Sequence, residues 1–340
     1  MPTRPPPSNR PAAAWYSSMT GPTSATRSPI LITGCPRSGT TWVGATLATS
    51  SRVLLIYEPF NPDESRNLGL EPRFLHLTAE TADRYRDGIE SLIGLADWKT
   101  RVRRCVRGGP TVRRPNAQLA DRLAVAALIE RPAAFVRANR VCIKDPLAFF
   151  AAEWLAEAFG MKVVVMLRHP AGVISSYLKL GWEPEVDALI GQPSLSHAFL
   201  DPCGPEIEAY RRGRGDSLDG HILQWQIFAR AALRLQRSHP DWLFVRHEEL
   251  CTHPLDQFEL ICRHVGMPWT ADLEQRIRRD SSPRNEADPA APRQHHLRRA
   301  SGALPGIWRQ RLDKETVDRI ERETACLWKQ IAPTMAVRHG

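Results

Sequence analysis

Between Gly34 and Thr41 the chain reads Gly-Cys-Pro-Arg-Ser-Gly-Thr-Thr, a spacing of glycines and hydroxyls suited to wrapping a phosphate. The nucleotide-triphosphate loop reads G-x-x-x-x-G-K-[ST], and every fixed position is met except the lysine, where Thr40 stands. Gly34 and Gly39 permit backbone angles closed to other residues, and the amides opening a following helix would point at a bound anion. Arg37, Ser38, Thr40 and Thr41 supply a cation and hydroxyl donors around that anion. The missing lysine, and the lack of a convincing Walker-type aspartate, point away from a magnesium-dependent ATPase.

A second group of the same chemistry follows the apolar run Val163 to Leu167, continuing Arg168-His169-Pro170 and reaching Ser175 and Ser176. Proline just past a strand suits the first turn of a helix, so Arg168 is expected at the carboxyl edge of a sheet with Ser176 about two turns further on. An arginine and a hydroxyl placed there could grip another phosphate. At the end of the run Val53 to Tyr57, Glu58 offers a carboxylate at the same sheet edge.

Together these stretches resemble the sulfotransferases that use 3′-phosphoadenosine-5′-phosphosulfate (PAPS). That family carries a P-[KR]-[SA]-G-T-[TS]-[WF] loop for the 5′-phosphosulfate, matched by Pro36, Arg37, Ser38, Gly39, Thr40, Thr41 and Trp42. It also carries an arginine followed eight residues later by a serine for the 3′-phosphate, matched by Arg168 and Ser176. Tyr57-Glu58-Pro59 is similar to the Y-E-P turn of carbohydrate-type and bacterial members, Lys144-Asp145-Pro146 to their K-x-P strand end, and Val245 to Leu250 to V-R-Y-E-D-L. Gly306-Ile-Trp308-Arg309 is similar to the G-x-W-[RK] region. The chain departs from the small-molecule members at their K-T-H segment, having no histidine there, and at R-K-G, where Arg298-Arg299-Ala300-Ser301 stands.

The resemblance implies an α/β, P-loop-type three-layer sandwich, its central parallel sheet flanked by helices. It implies PAPS as co-substrate, no metal, and a hydroxyl acceptor on a carbohydrate or on a glycosylated or secondary metabolite, with no nucleic acid partner. Arg37 would stabilise the bridging oxygen, Glu58 would take the acceptor proton, and Lys144 would hold the sulfuryl oxygens. Arg299 and Ser301 would stand in as the third phosphate contact. A P-loop kinase of a small metabolite, or a basic polyanion-binding protein without turnover, are the alternatives.

The elements that must position these residues are legible as well. Runs at Ile30 to Thr33, Val53 to Tyr57, Val141 to Ile143, Met161 to Leu167 and Leu243 to Val245 are apolar on consecutive residues, as strands buried on both faces of a parallel sheet are. Leu223, Ile227, Ala231 and Leu235 share a helical face, as do Val317, Ile320, Leu327 and Ile331. With 340 residues, 42% of them hydrophobic, the chain can bury a large core, and one domain over 29–335 is expected, with inserted loops near 61–140 and 181–220 and a cofactor-side loop near 281–310.

Residues 1–28 are rich in proline and arginine without acid and are read as a disordered tail lacking the apolar core of a signal or anchor. Trp98 to Ala120 holds seven Lys or Arg and no acid, and is read as an exposed loop or lid. The net charge of +9 fits an anionic substrate as well as nucleic acid. Seven scattered cysteines without a Cys-x-x-Cys pair argue against a disulfide framework or zinc site and for the cytoplasm. The adjacent His295 and His296 suggest a metal only weakly.

Overall fold

Five strands form one parallel sheet: β1 (Ile30–Gly34), β2 (Val53–Tyr57), β3 (Arg140–Lys144), β4 (Lys162–Leu167) and β5 (Leu243–Arg246), in the order β2-β3-β1-β4-β5. The computed structural model describes residues 28–63, 68, 71–108, 119–213, 216–288 and 297–331. All five strands fall on the apolar runs read from the sequence. β1 lies at the centre, with Ile30 opposite Cys142 of β3 and Lys162 of β4.

Alternate residues of each strand feed two separate cores, which is what a sheet covered on both faces requires. Leu31, Ile143, Val163 and Val165 pack with residues of α2 (Asp83–Ile93), α4 (Leu119–Glu130), α6 (Ala152–Phe159) and α10 (Ser217–Ser238). Ile30, Ile32, Cys142, Val164 and Met166 pack on the other face with α1 (Thr40–Leu47), α12 (Pro254–Val265) and α13 (Ala271–Asp280). Sheet and flanking helices make the three-layer α/β sandwich. The chain also forms α3 (Trp98–Gly108), α5 (Pro132–Arg137), α7 (Pro170–Leu180), α8 (Val186–Ile190), α9 (Gly204–Arg211), α11 (His247–Thr252), a 3₁₀ segment Ser301–Gln310 and α14 (Lys314–Ile331).

Both helical faces read from the sequence are packing faces. Leu223, Ile227, Ala231 and Leu235 are buried in α10, and Ile320 and Ile331 are buried in α14. The basic stretch after Trp98 is a correction: it opens as α3, not as a loop. Its Arg101 is fully buried and donates to the carbonyls of Leu95, Phe135 and Ala138. Charge density suggested solvent, but a guanidinium carries five donors and can cap exposed carbonyls of two other segments at once. Residues 109–118, 1–27 and the His295–His296 pair lie outside the described residues.

Candidate active site

Every strand delivers one part of the site from its carboxyl end, as open parallel sheets do. After β1, Gly34 has φ 132, and a side chain there would put its Cβ 2.1 Å from the Met166 carbonyl oxygen, so only glycine fits. The loop then runs through Arg37 at φ 67 into Gly39 at φ 96, the N-cap of α1. A Cβ on Gly39 would lie 2.9 Å from His247 Nδ1, which closes the underside of the loop. Burial, ahead of the Arg168 charge, pushes the His247 imidazole well below its ordinary range, so it stays neutral.

Arg37 Nε donates to Ser176 Oγ at 2.9 Å, and its guanidinium lies over the Trp182 ring at 5.5 Å. Sequence reading placed these two residues on different phosphates; the structure joins them directly. Because Ser176 accepts from Arg37, its own O–H remains to donate to an anion. Arg168 Nη1 donates to the Arg37 carbonyl at 2.9 Å, and its buried Nε has no hydrogen-bond partner. Gly172 makes room for it, since a Cβ there would fall 2.8 Å from that Nε. Burial pulls the Arg168 guanidinium down to about 10, which still leaves it charged at neutral pH. Among the described residues neither arginine forms an ion pair with a carboxylate.

Glu58 follows β2 in a left-handed conformation, φ 43, and is ion-paired with Lys144 Nζ at the end of β3. Its other oxygen accepts from Asn61 Nδ2 at 2.9 Å. Burial raises the Glu58 carboxyl, but the Lys144 ammonium and hydrogen bonds from Lys144, Asn61 and Tyr57 outweigh it and hold it below the usual carboxylate range. Lys144 is almost wholly buried, with its Nζ 4.0 Å from the centre of the Tyr57 ring. Asp145 fixes this turn by accepting from Phe60 N at 2.6 Å and Leu147 N at 2.9 Å, and burial pushes its carboxyl up to about 7.

These groups converge on one cavity of about 740 Å³. Arg37, Gly39, Thr40, Thr41, Trp42, Glu58, Lys144, Arg168, Ser176, Arg299 and Ser301 all line it. Ser38 is fully buried beneath the loop and does not reach the cavity wall. Trp42 lines it from the core, its ring edge-on to Phe258 at 5.2 Å. Ser301 uses its hydroxyl on the main chain, donating to the carbonyls of Cys251 at 2.8 Å and Ser281 at 3.3 Å. Arg299 donates to Ala287 O at 3.0 Å and stands 3.9 Å from Asp288. Asp288 also takes Lys179 and a bidentate Arg311, whose hydrogen bonds are the main force holding its carboxyl at about 2. One carboxylate thus meets three cations beside this end of the cavity.

The sequence profile of the Sulfotransferase family matches residues 29–271, most of the chain and all five strands. The chain belongs to the sulfotransferase family. It is a sulfuryl-transferring enzyme, which sets aside the kinase and the non-catalytic alternatives. Among solved structures, this sulfotransferase is similar to the sulfotransferase domain of the Synechococcus PCC 7002 olefin synthase, at 18% identity over 92% of this chain and 98% of that one, TM-score 0.46. It is similar also to the sulfotransferase domain of the curacin biosynthetic pathway, at 15% identity over 88% and 98%, TM-score 0.43. A third is STF9 of Mycobacterium avium, at 13% identity over 94% and 80%, TM-score 0.43. No curated protein sequence matches the chain. Among the described residues no helix is long and apolar enough to cross a membrane, and no three His, Cys, Asp or Glu cluster as metal ligands would.

Several residues of the sulfotransferase's cavity are not marked by the sequence as site residues: Asn61, Arg73, Trp182, Glu185 and Arg311. Arg73 pairs with both Asp63 and Glu185, so it ties the segment after β2 to the segment after α7. Arg311 lies two residues past the Gly306 to Arg309 segment read from the sequence, and its basic character is a usable signal. The others had none, since their meeting depends on chain crossings that spacing does not encode.

Proposed function

We propose that the sulfotransferase moves a sulfuryl group from PAPS to a hydroxyl of a carbohydrate or of a glycosylated or secondary metabolite. The observation that carries this reading is the pair Arg37 and Arg168, charged, ion-paired to no carboxylate among the described residues, and lining the cavity beside the N-terminus of α1. Two guanidiniums that line one cavity, with no carboxylate ion-paired to either among the described residues, suit the binding of an anion. Arg37 and the loop amides with Thr40 and Thr41 hold the 5′-phosphosulfate, while Arg168, Ser176 and Arg299 hold the 3′-phosphate. Ser301 supports Arg299 through the main chain and gives up its hydroxyl only if its carbonyl partners are released.

In the reaction the acceptor oxygen bonds to sulfur as the bond from sulfur to the phosphate oxygen breaks, and the acceptor proton passes to Glu58. Charge builds on the departing phosphate oxygen, and Arg37 stabilises it without giving up a proton. Glu58 is ionised at neutral pH and oriented by Asn61; it is a weak base, suited to a loose transition state in which bond breaking leads. Lys144 is held between Glu58 and the Tyr57 ring, where its ammonium can balance negative charge on the sulfuryl oxygens. The unpaired cysteines support a reducing, cytoplasmic setting.

The test is direct binding of adenosine 3′,5′-bisphosphate, followed by turnover with PAPS and a panel of hydroxylated acceptors read by mass. Wild type is expected to bind the bisphosphate, with Arg37→Ala and Arg168→Ala both weakened. Equal, weak binding by all three proteins overturns the donor assignment.

A further inference from the structure

Helix α3 is amphipathic in the wrong direction for a helix that only packs. Its one fully buried residue is polar, Arg101 on three carbonyls; half-buried Arg104 turns to Asp121 Oδ1 at 3.1 Å and Ser91 Oγ at 3.1 Å, and half-buried Cys105 packs on the core. Its apolar residues Trp98, Val102 and Val106 are 55%, 39% and 79% exposed. Spaced four apart, they form one stripe along the outer face. Lys99 and Arg103, both exposed, form the next row over, and the helix contains no acid. Leu128 and Ile129 of α4 and Val136 of α5, on the helices packed beside it, are exposed as well.

An outward Trp and two valines leave apolar surface in water, a cost that soluble proteins avoid unless something covers it. The charge of the neighbouring row selects the cover. The terminal segments 1–27 and 332–340 contain no acid, so the chain's own ends would bring more cation to a cationic row. A second copy docking by the same face would do likewise. Nucleic acid would satisfy Lys99 and Arg103 and leave the apolar stripe unused.

We propose that α3 is a docking face for an anionic lipid surface. Trp98, Val102 and Val106 enter the interface between headgroups and acyl chains while Lys99 and Arg103 meet anionic headgroups. The three carbonyl bonds of Arg101 and the Arg104–Asp121 pair lock the helix to the fold, so the face is presented already formed. This inference is independent of the donor and acceptor proposed above.

The experiment is flotation of the full chain with vesicles of phosphatidylcholine alone or with added phosphatidylglycerol, alongside soluble heparin as a polyanion control. The expected result is partition onto the anionic vesicles at least about tenfold above the neutral ones, from two basic residues near the surface. Lys99→Glu with Arg103→Glu is expected to remove that preference, and Trp98→Ser with Val106→Ser to release the protein from both. These side chains are exposed, and unchanged bisphosphate binding and thermal melting certify the fold of each variant. No difference between the two vesicle types overturns the proposal. So does binding that survives the serine pair and is competed by heparin, which means simple polyanion attraction, or a dimer in sedimentation that the serine pair dissolves, which means self-association.

Discussion

The two walls of the cavity treat charge in opposite ways. On the phosphate-loop wall, Arg37 and Arg168 bond to a hydroxyl and a carbonyl and, among the described residues, form no ion pair with a carboxylate. On the facing wall, charges are paired in a chain from Lys144 to Glu58, with Asn61 linking Glu58 to Arg73, which ends on Asp63 and Glu185. Burying an unpaired cation is costly, and it persists where a ligand will complete it. A paired chain has nothing to wait for; it fixes geometry and sets basicity. In the proposed reaction one wall is the receptor for anionic charge and the other carries the positioned acid–base group.

The sharpest way to break this contrast is Arg37→Ala, which is expected to lower kcat/KM by about 10³-fold, as loss of a preorganised charge at a developing oxyanion does. Glu58→Gln is expected to lower turnover by roughly 10²-fold while leaving bisphosphate affinity in place. Equal losses of binding and turnover in both variants would erase the distinction between the walls. Gly172→Ala crowds Arg168 without removing its charge, and a calorimetric loss of bisphosphate affinity of about tenfold is expected.

The smallest expected effect is a shift with pH. Glu58 has its carboxyl held below the ordinary 4.5, so turnover persists as pH falls to that value and declines only beneath it. The same sign applies to stability: the contribution of the Glu58–Lys144 pair is complete above 4.5 and is lost as pH falls through the lowered folded value. Asn61→Ala removes one of the bonds holding it down, so the acid limb of a pH–rate profile moves upward. An unmoved limb assigns that titration to another group.

Much of the site could be read before the fold was seen, because sheet edges turn local motifs into neighbours. Gly34 to Thr41, Glu58, Lys144 and Arg168 each sit within a few residues of an apolar run, so knowing the strands places them. The eight-residue step from Arg168 to Ser176 is a helical distance, and both residues line the cavity. What escaped was of two kinds. Asn61, Arg73 and Trp182 lie beyond the strand ends, where backbone path alone decides who meets whom; Phe74 at φ 56 beside Arg73 marks that path only after the fact. Ser301 was legible as a hydroxyl near the cofactor end, but not as one already committed to Cys251 and Ser281. For α3, charge count argued for solvent, and only packing could reveal that Arg101 faces inward.

The position of β1 has a consequence for how the enzyme comes into being. The strand that carries the phosphate loop is central, yet its first bonded neighbour, Cys142, emerges from synthesis roughly 110 residues later. Gly34 closes on Met166 later still. Until then the loop has no wall behind it, and Arg37 no Ser176 to hold it. The earliest part of the site to be made therefore waits for later strands to complete it, and a chain arrested before β4 would carry the phosphate-loop motif in sequence without the wall that shapes it.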